Sequence, residues 1–432
     1  MINVSHKLRK REAEGNPIQV GIVGMGQMGI TLVGQISRMK GMRPAVVVDH
    51  KLGAVKVAFA RAGYKEGQDY ELADTVAEGN RILAEGKFVG TLNDELATKC
   101  ATLDCAVDAT GVPEAGAKIA MDAINHGKHI VMLNVETDVC IGHILYKMAQ
   151  NAGVVYTGSA GDEPGAVMEL FDLADSLGFE VRVVGKGKNN PVILDCTPES
   201  VKEIAEVKGA SPRMICAFKD GTKTMVEMAA MANATGFIPD VVGGHGAESD
   251  AKHLPQVLSL KSEGGVLNRY GVVEYINGVA PGVFVICSTD EPDIMATLKY
   301  IEMGDGPNYA LYRPFHLTSV ETPSSIAKAV IDHEPTIVPS CGRMAEVVTV
   351  AKKDLVPGEI FDGIGGYTIR GTIMAATESD AMGALPMGLV DAKTKLLVPK
   401  AAGEIITYDD VELNHDSLVV QLRKLQDQLI DA

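Results

Sequence analysis

Six consecutive residues, Gly24-Met25-Gly26-Gln27-Met28-Gly29, constrain this chain more than any other feature. They follow a short β-branched run, Ile18 to Val23, and precede apolar residues at helical spacing: Ile30, Leu32, Val33, Ile36 and Met39. A G-x-G-x-x-G segment between a strand and a helix is the phosphate-binding turn of a dinucleotide fold. In that reading Gly24 permits the tight turn and Gly26 admits a pyrophosphate to the backbone. Gly29 lets helix and strand pack closely. Gln27 and Met28 then open the helix, whose free N–H groups face the phosphates.

The strands that follow read as continuous apolar runs: Pro44 to Val48, Leu103 to Asp108, His129 to Leu133 and Val154 to Tyr156. Unbroken apolar strands suit a parallel sheet covered on both faces. Asp49 ends the second strand, twenty residues after Gly29, where a carboxylate accepts the ribose hydroxyls of NAD. His50 and Lys51 follow at once and would suit the extra phosphate of NADP. The cofactor is therefore read as NAD or NADP, with Asp49 tilting the choice to NAD. Ala109, Thr110 and Gly111 end one later strand, and Asn134, Val135 and Glu136 end the next, close to where a nicotinamide ring would lie. Such strand ends are expected to line the cofactor crevice.

The formal net charge of −16 argues against a nucleic-acid or anionic-membrane partner. Seven scattered cysteines without a C-x-x-C pattern show no disulfide framework and no zinc site, which fits a reducing, cytoplasmic setting. The polar, basic segment Met1 to Pro17 does not read as a secretory signal. No run of about 18 apolar residues occurs to span a membrane.

Two segments of the middle region carry candidate chemistry. Asp162 and Glu163 sit between glycines at the start of a helix, so one is an acid/base candidate or, as a second choice, a hard-metal ligand, and otherwise both are simply part of a helix start. Gly185-Lys186-Gly187-Lys188-Asn189-Asn190-Pro191 is read as a glycine-softened loop after the strand Val181 to Val184. Its two amines and two amides could hold a carbonyl oxygen that gains negative charge. Lys186, Lys188, Asn189, Asn190, Asp162 and Glu163 thus form the expected catalytic set, and no metal site is assigned. Glu227 and Asn233 lie in an apolar helical pattern and read as satisfied core residues. Arg313 and His316 could bind an anion or move a proton, although a lone histidine is more often structural.

Towards the C-terminus short β runs alternate with Pro/Gly turns, as at Pro357-Gly358-Glu359 and Gly403-Glu404. Leu418, Leu422, Leu425 and Leu429 are spaced as one helix face. With the segments Gly21 to Gly26, Val107 to Gly111, Ala160 to Pro164, Gly185 to Pro191, Thr224 to Ala229 and Arg313 to Thr318, the chain resembles a known group. These are the homoserine-dehydrogenase-like oxidoreductases with a C-terminal SAF domain, and among them the bacterial 1-deoxy-D-xylulose 5-phosphate reductoisomerase-like proteins.

The resemblance implies an α/β chain of three parts. A Rossmann domain spans 1–160, a central α+β catalytic and dimerisation domain 161–335, and a small β-rich SAF domain with a C-terminal helix 336–432. It also implies a homodimer and NADPH-dependent reduction of a sugar-phosphate-like substrate. Where that group carries arginines after the second strand, this chain has Asp49-His50-Lys51. Where homoserine dehydrogenases place a lysine soon after the asparagine of the fourth strand, Asn134 is followed by Val135-Glu136.

The leading expectation is hydride transfer between a nicotinamide and a small polyhydroxylated carbonyl compound, phosphorylated or not. Lys188 would polarise the carbonyl with Lys186 and Asn189, and Asp162 or Glu163 would relay a proton. One alternative is reductoisomerase chemistry, which would require NADPH and a divalent metal. The other is a non-catalytic nucleotide-binding sensor whose SAF domain takes a ligand.

Overall fold

The computed structural model describes residues 3–429. Its first sheet has seven strands: β1 (Ile18–Val23), β2 (Met42–Val48), β3 (Tyr70–Leu72), β4 (Phe88–Thr91), β5 (Cys105–Asp108), β6 (His129–Met132) and β7 (Tyr156–Gly158). All pair in parallel, in the order β3-β4-β2-β1-β5-β6-β7. The order reverses between β1 and β5, and ligands bind at the carboxyl ends of strands flanking such a switch point. Apolar residues cover both faces, as the unbroken runs require. Val20, Ile22, Leu32 and Ile36 pack on one side, and Val23, Ala120, Ile130 and Ile141 on the other. Strands β3 and β4 escape the sequence reading because they are short and carry little apolar pattern.

The second sheet is mixed, in the order β12-β11-β8-β10-β9. It comprises β8 (Glu180–Lys188), β9 (Ile238–Pro239), β10 (Val272–Asn277), β11 (Val283–Ser288) and β12 (Asn308–Arg313). Strand β8 pairs in parallel with β10 and antiparallel with β11. Here the structure corrects the expected loop: the strand runs on through Lys188. Side chains alternate along it, so Val184, Lys186 and Lys188 share one face. The glycines serve close packing rather than pliability. A Cβ on Gly185 would lie 2.4 Å from the Phe284 ring, and one on Gly187 would lie 2.3 Å from the Ala280 nitrogen.

The C-terminal part holds two antiparallel pairs, β13 (Ala345–Ala351) with β14 (Ile369–Ala375), and β15 (Lys395–Leu396) with β16 (Val411–Glu412). One apolar cluster runs without a break from Ile130 in the first sheet through Met225 and Val273 to Val347 and Leu422. The last helix, Leu418–Leu429, packs back on the N-terminal sheet's helices Pro113–Asn125 and Val135–Ala152. Its buried face carries Val419, Leu422, Arg423 and Gln426, whereas Leu425 and Leu429 are exposed. The leucine spacing therefore meets the buried face only at Leu418 and Leu422. Arg423 is buried because Glu346 lies 2.6 Å from its guanidinium, which also donates to the Cys140 carbonyl oxygen at 3.2 Å.

Candidate active site

The glycine turn is built as its residues require. Gly24 has φ +97°, a left-handed conformation that favours glycine. A Cβ on Gly29 would meet the Gly24 carbonyl oxygen at 1.9 Å, so the helix Gln27–Ile36 can approach the turn only with glycine there. A Cβ on Gly26 would meet nothing within 4 Å, so the backbone at that position is open to a ligand.

Two cavities meet at this turn. The one of about 800 Å³ is lined by Gly24, Gly26, Asp49, His50, Lys51 and Thr110. It lies on the adenosine side of a dinucleotide fold. Asp49 is buried and braces the wall, accepting N–H bonds from Met25 at 2.7 Å and Lys51 at 2.8 Å. His50 and Lys51 are exposed. The second cavity, about 640 Å³, starts from Gly26, Gln27 and Met28 and passes Ala109, Thr110 and Gly111. It ends against Glu136, Lys223 and Arg213, with residues 362–364 and 388–392 of the C-terminal part closing it.

Asn134 does not face either cavity. It is fully buried, its amide donates to Asp108 (2.8 Å), Thr110 (3.3 Å) and the Val112 carbonyl (3.0 Å), and its oxygen accepts the Thr137 N–H. Its role is to brace the Thr110 turn, which corrects the expectation that it contacts cofactor. Asp108 shares that duty by accepting the Thr110 N–H at 2.9 Å.

Behind the second cavity lies a buried charge cluster. Asp162 and Glu163 stand at the start of the helix Glu163–Ser176, and Glu227 projects from the helix Thr222–Thr235. One oxygen from each of the three carboxylates lies within 4.8 Å of the others, a set able to hold a hard cation. The Lys186 ammonium already occupies it, 2.6 Å from Glu163 Oε1 and against Glu227 Oε2. The chain thus supplies the compensating charge itself. His316 Nε2 stands 3.6 Å from Glu163 and its Nδ1 lies 2.8 Å from the Pro281 carbonyl oxygen. Arg313 is engaged by Glu321 at 2.5 Å and Glu169 at 3.4 Å.

The cluster separates its protons by environment. Burial, then the charges of Glu163 and Glu227, push the Asp162 carboxyl well above the usual range. Glu227 is raised by burial and by Glu163. Burial works against Glu163 too, but the Lys186 ammonium and His316 hold it below its ordinary value. Lys188 is pushed down by burial and by Lys186. Burial opposes the charge of Lys223, yet Glu136 and Asp162 hold its amine up. Carboxyls and amines driven apart in this way mark candidate acid/base groups.

Of the expected catalytic residues, Asp162, Glu163 and Lys186 come together here. Lys188 lies beside them, but its amine donates to the Phe218 carbonyl at 2.8 Å and lines neither cavity. Asn189 is exposed and Asn190 half-buried, and neither lines a cavity at the turn. Glu136, at the end of the segment Asn134-Val135-Glu136, lines the second cavity. Two residues escape the sequence reading: Glu227 and Lys223 sit on a helix that reads as core. The signal that could have found them is a pair of charges within an otherwise apolar helical pattern.

Residues 161–322, which carry the cluster, match the family model described as oxidoreductase DRL, catalytic domain. The match supports an oxidoreductase. No curated protein matches the chain. Among solved structures it is similar to a probable dehydrogenase from Thermotoga maritima, at 12% identity and TM-score 0.41, covering 76% of this chain and 93% of that one. A UDP-N-acetylglucosamine 3-dehydrogenase from Acidithiobacillus ferrooxidans gives 13% identity, TM-score 0.39 and coverage of 76% and 93%. The scyllo-inositol dehydrogenase of Lactobacillus casei, solved with NAD(H) and scyllo-inositol, gives 12%, 0.36, 69% and 76%. No helix among the described residues is long and apolar enough to cross a membrane.

Proposed function

We propose that the enzyme transfers a hydride between the nicotinamide and a carbonyl or carbinol carbon of a small polyhydroxylated substrate, phosphorylated or not. The observation that supports this reading is the Glu136–Lys223 pair at the end of the cavity that begins at Gly26. The residues fit a dinucleotide: the open backbone at Gly26 takes the pyrophosphate, and Asp49 in the cavity wall favours the ribose of NAD over the phosphate of NADP. The reduced cofactor, when bound, supplies the hydride.

The chain supplies the rest. Lys223 presents a charged amine to the cavity and stabilises a substrate oxygen as negative charge grows on it. It gives that oxygen a proton, and Asp162, which interacts with it through the same buried cluster, returns one. Glu136 orients the amine through Oε1 and keeps its second oxygen for a substrate hydroxyl. The cluster of Lys186, Glu163 and Glu227 holds this arrangement rigid. Oxidation runs the same transfers backwards. No step passes through a metal.

The same reading retains the three parts 1–160, 161–335 and 336–432, a SAF-like C-terminal part, and a homodimer. The test is Lys223→Ala with NADH or NADPH and a panel of hydroxylated aldehydes and ketones. Turnover should fall strongly while cofactor affinity persists. Unchanged turnover would remove Lys223 from the reaction.

A further inference from the structure

A third cavity, of about 280 Å³, lies between β14 and the start of the helix Thr222–Thr235. It shares no lining residue with the two cavities at the glycine turn. Val242, Tyr275, Val350 and Ile405 give it apolar walls, and Arg370 and Thr372 its polar side. Alternation along β14 explains the placement: Ile369 and Ile373 enter the main core, so Arg370 and Thr372 project from the other face.

Arg370 has no hydrogen bond or ion pair among the described residues. Burial already disfavours its charge. The nearby carboxylate, Asp220, does not supply a partner. One of its oxygens accepts the Thr222 N–H at 2.9 Å, and the other lies 2.7 Å from the Lys352 ammonium. Lys352 is itself satisfied by Asp220 and by the carbonyls of Cys196 (2.7 Å) and Gly366 (2.8 Å). The cavity is thus left with one unpaired guanidinium. A partly desolvated charge without hydrogen bonds is costly, and a planar fork of donors suits a carboxylate.

We propose that this cavity binds a small carboxylic acid with a short alkyl tail. The carboxylate meets the Arg370 fork with Thr372 Oγ1 beside it, and the tail lies against Val242, Val350 and Ile405. The site is separate from the reaction centre, so it is a second ligand site at the junction of the middle and C-terminal parts.

The test uses the full chain, with n-butyrate as probe, n-butyramide as the neutral isostere and inorganic phosphate as the competing anion class. Calorimetry and thermal unfolding should show saturable binding of butyrate, none of butyramide, and weaker binding of phosphate. Arg370→Gln should weaken butyrate binding about tenfold or more. Arg370→Lys keeps the charge without the fork and should fall between, and it decides the matter if the glutamine variant does not fold. Cofactor affinity should be unchanged in both. The proposal is overturned by absence of saturable butyrate binding, by equal binding of butyramide, by tighter binding of phosphate, or by an arginine variant that binds as the parent does.

Discussion

Lys223 lies against Glu136 Oε1, and the second oxygen of Glu136 is buried without a hydrogen-bond partner among the described residues. Glu136 is 3% exposed and lines the cavity that starts at the glycine turn. An unsatisfied buried carboxylate oxygen costs stability, so its retention at a cavity wall points to a donor that arrives with substrate. Glu136→Gln preserves the shape but can turn an amide donor toward that donor. The expected result is a fall in kcat/KM of about a hundredfold on hydroxylated carbonyl substrates, with cofactor affinity unchanged. Steady-state kinetics and cofactor titration check both parts. Equal kcat/KM would mean that Glu136 reads no substrate group.

Gly26→Ala should separate folding from cofactor binding. The residue has φ −72°, which alanine adopts freely, and open space where the methyl would go. Thermal stability of the apoprotein should hardly change. The methyl would stand where the pyrophosphate approaches, so the Kd for NADH or NADPH should rise about tenfold or more. Gly29→Ala is the contrasting variant: its methyl would collide with the Gly24 carbonyl oxygen and should lower stability as well.

What could be read from the chain itself follows from how local each signal is. The glycine turn is contiguous in sequence, and its strand and helix flank it directly, so its geometry was legible. Asp162 and Glu163 were visible for the same reason. Lys223 and Glu227 were not, because what distinguishes them from core residues is a contact across the fold: Lys223 meets Glu136, 87 residues earlier, and Glu227 meets Lys186, 41 residues earlier. The lysine-asparagine segment misled through its glycines. They suggested a loop, whereas Phe284 and the Ala280 backbone press on the far face of a strand and demand residues without side chains. Arg423 and Gln426 on the last helix likewise look like surface residues until Glu346 and the Ile144 N–H supply their partners.

The raised carboxyl of Asp162 sets the pH dependence expected for the reaction. Burial and the neighbouring Glu163 and Glu227 charges keep its proton on at pH values where an ordinary aspartate has lost it. In the proposed carbonyl reduction Asp162 acts in its protonated form. The kcat of reduction should therefore be level below the raised pKa and fall as pH climbs through it, while oxidation should rise over the same interval. Asp162→Asn should flatten that limb in both directions and lower the rate. A profile identical to that of the parent would take Asp162 out of the proton path.

Asp138 offers a test of stability that is independent of activity. It lies on the helix Val135–Ala152, accepts the Tyr156 hydroxyl at 2.8 Å, and burial pushes its carboxyl up to about 6. Below pH of about 4 both the folded and unfolded chains hold the proton, and Asp138 has no net effect on stability. As pH rises from there, the unfolded chain ionises first and folding becomes progressively less favourable, until the folded carboxyl also ionises near pH 6. Above that pH the loss is constant, at about 1–3 kcal/mol after allowance for partial exposure. Asp138→Asn keeps the acceptor for Tyr156 and removes the ionisation. Denaturant unfolding at a series of pH values should show the variant gaining on the parent between pH of about 4 and 6 and keeping that lead at about pH 7.5. A difference that does not vary with pH would show that Asp138 is not held protonated by the fold.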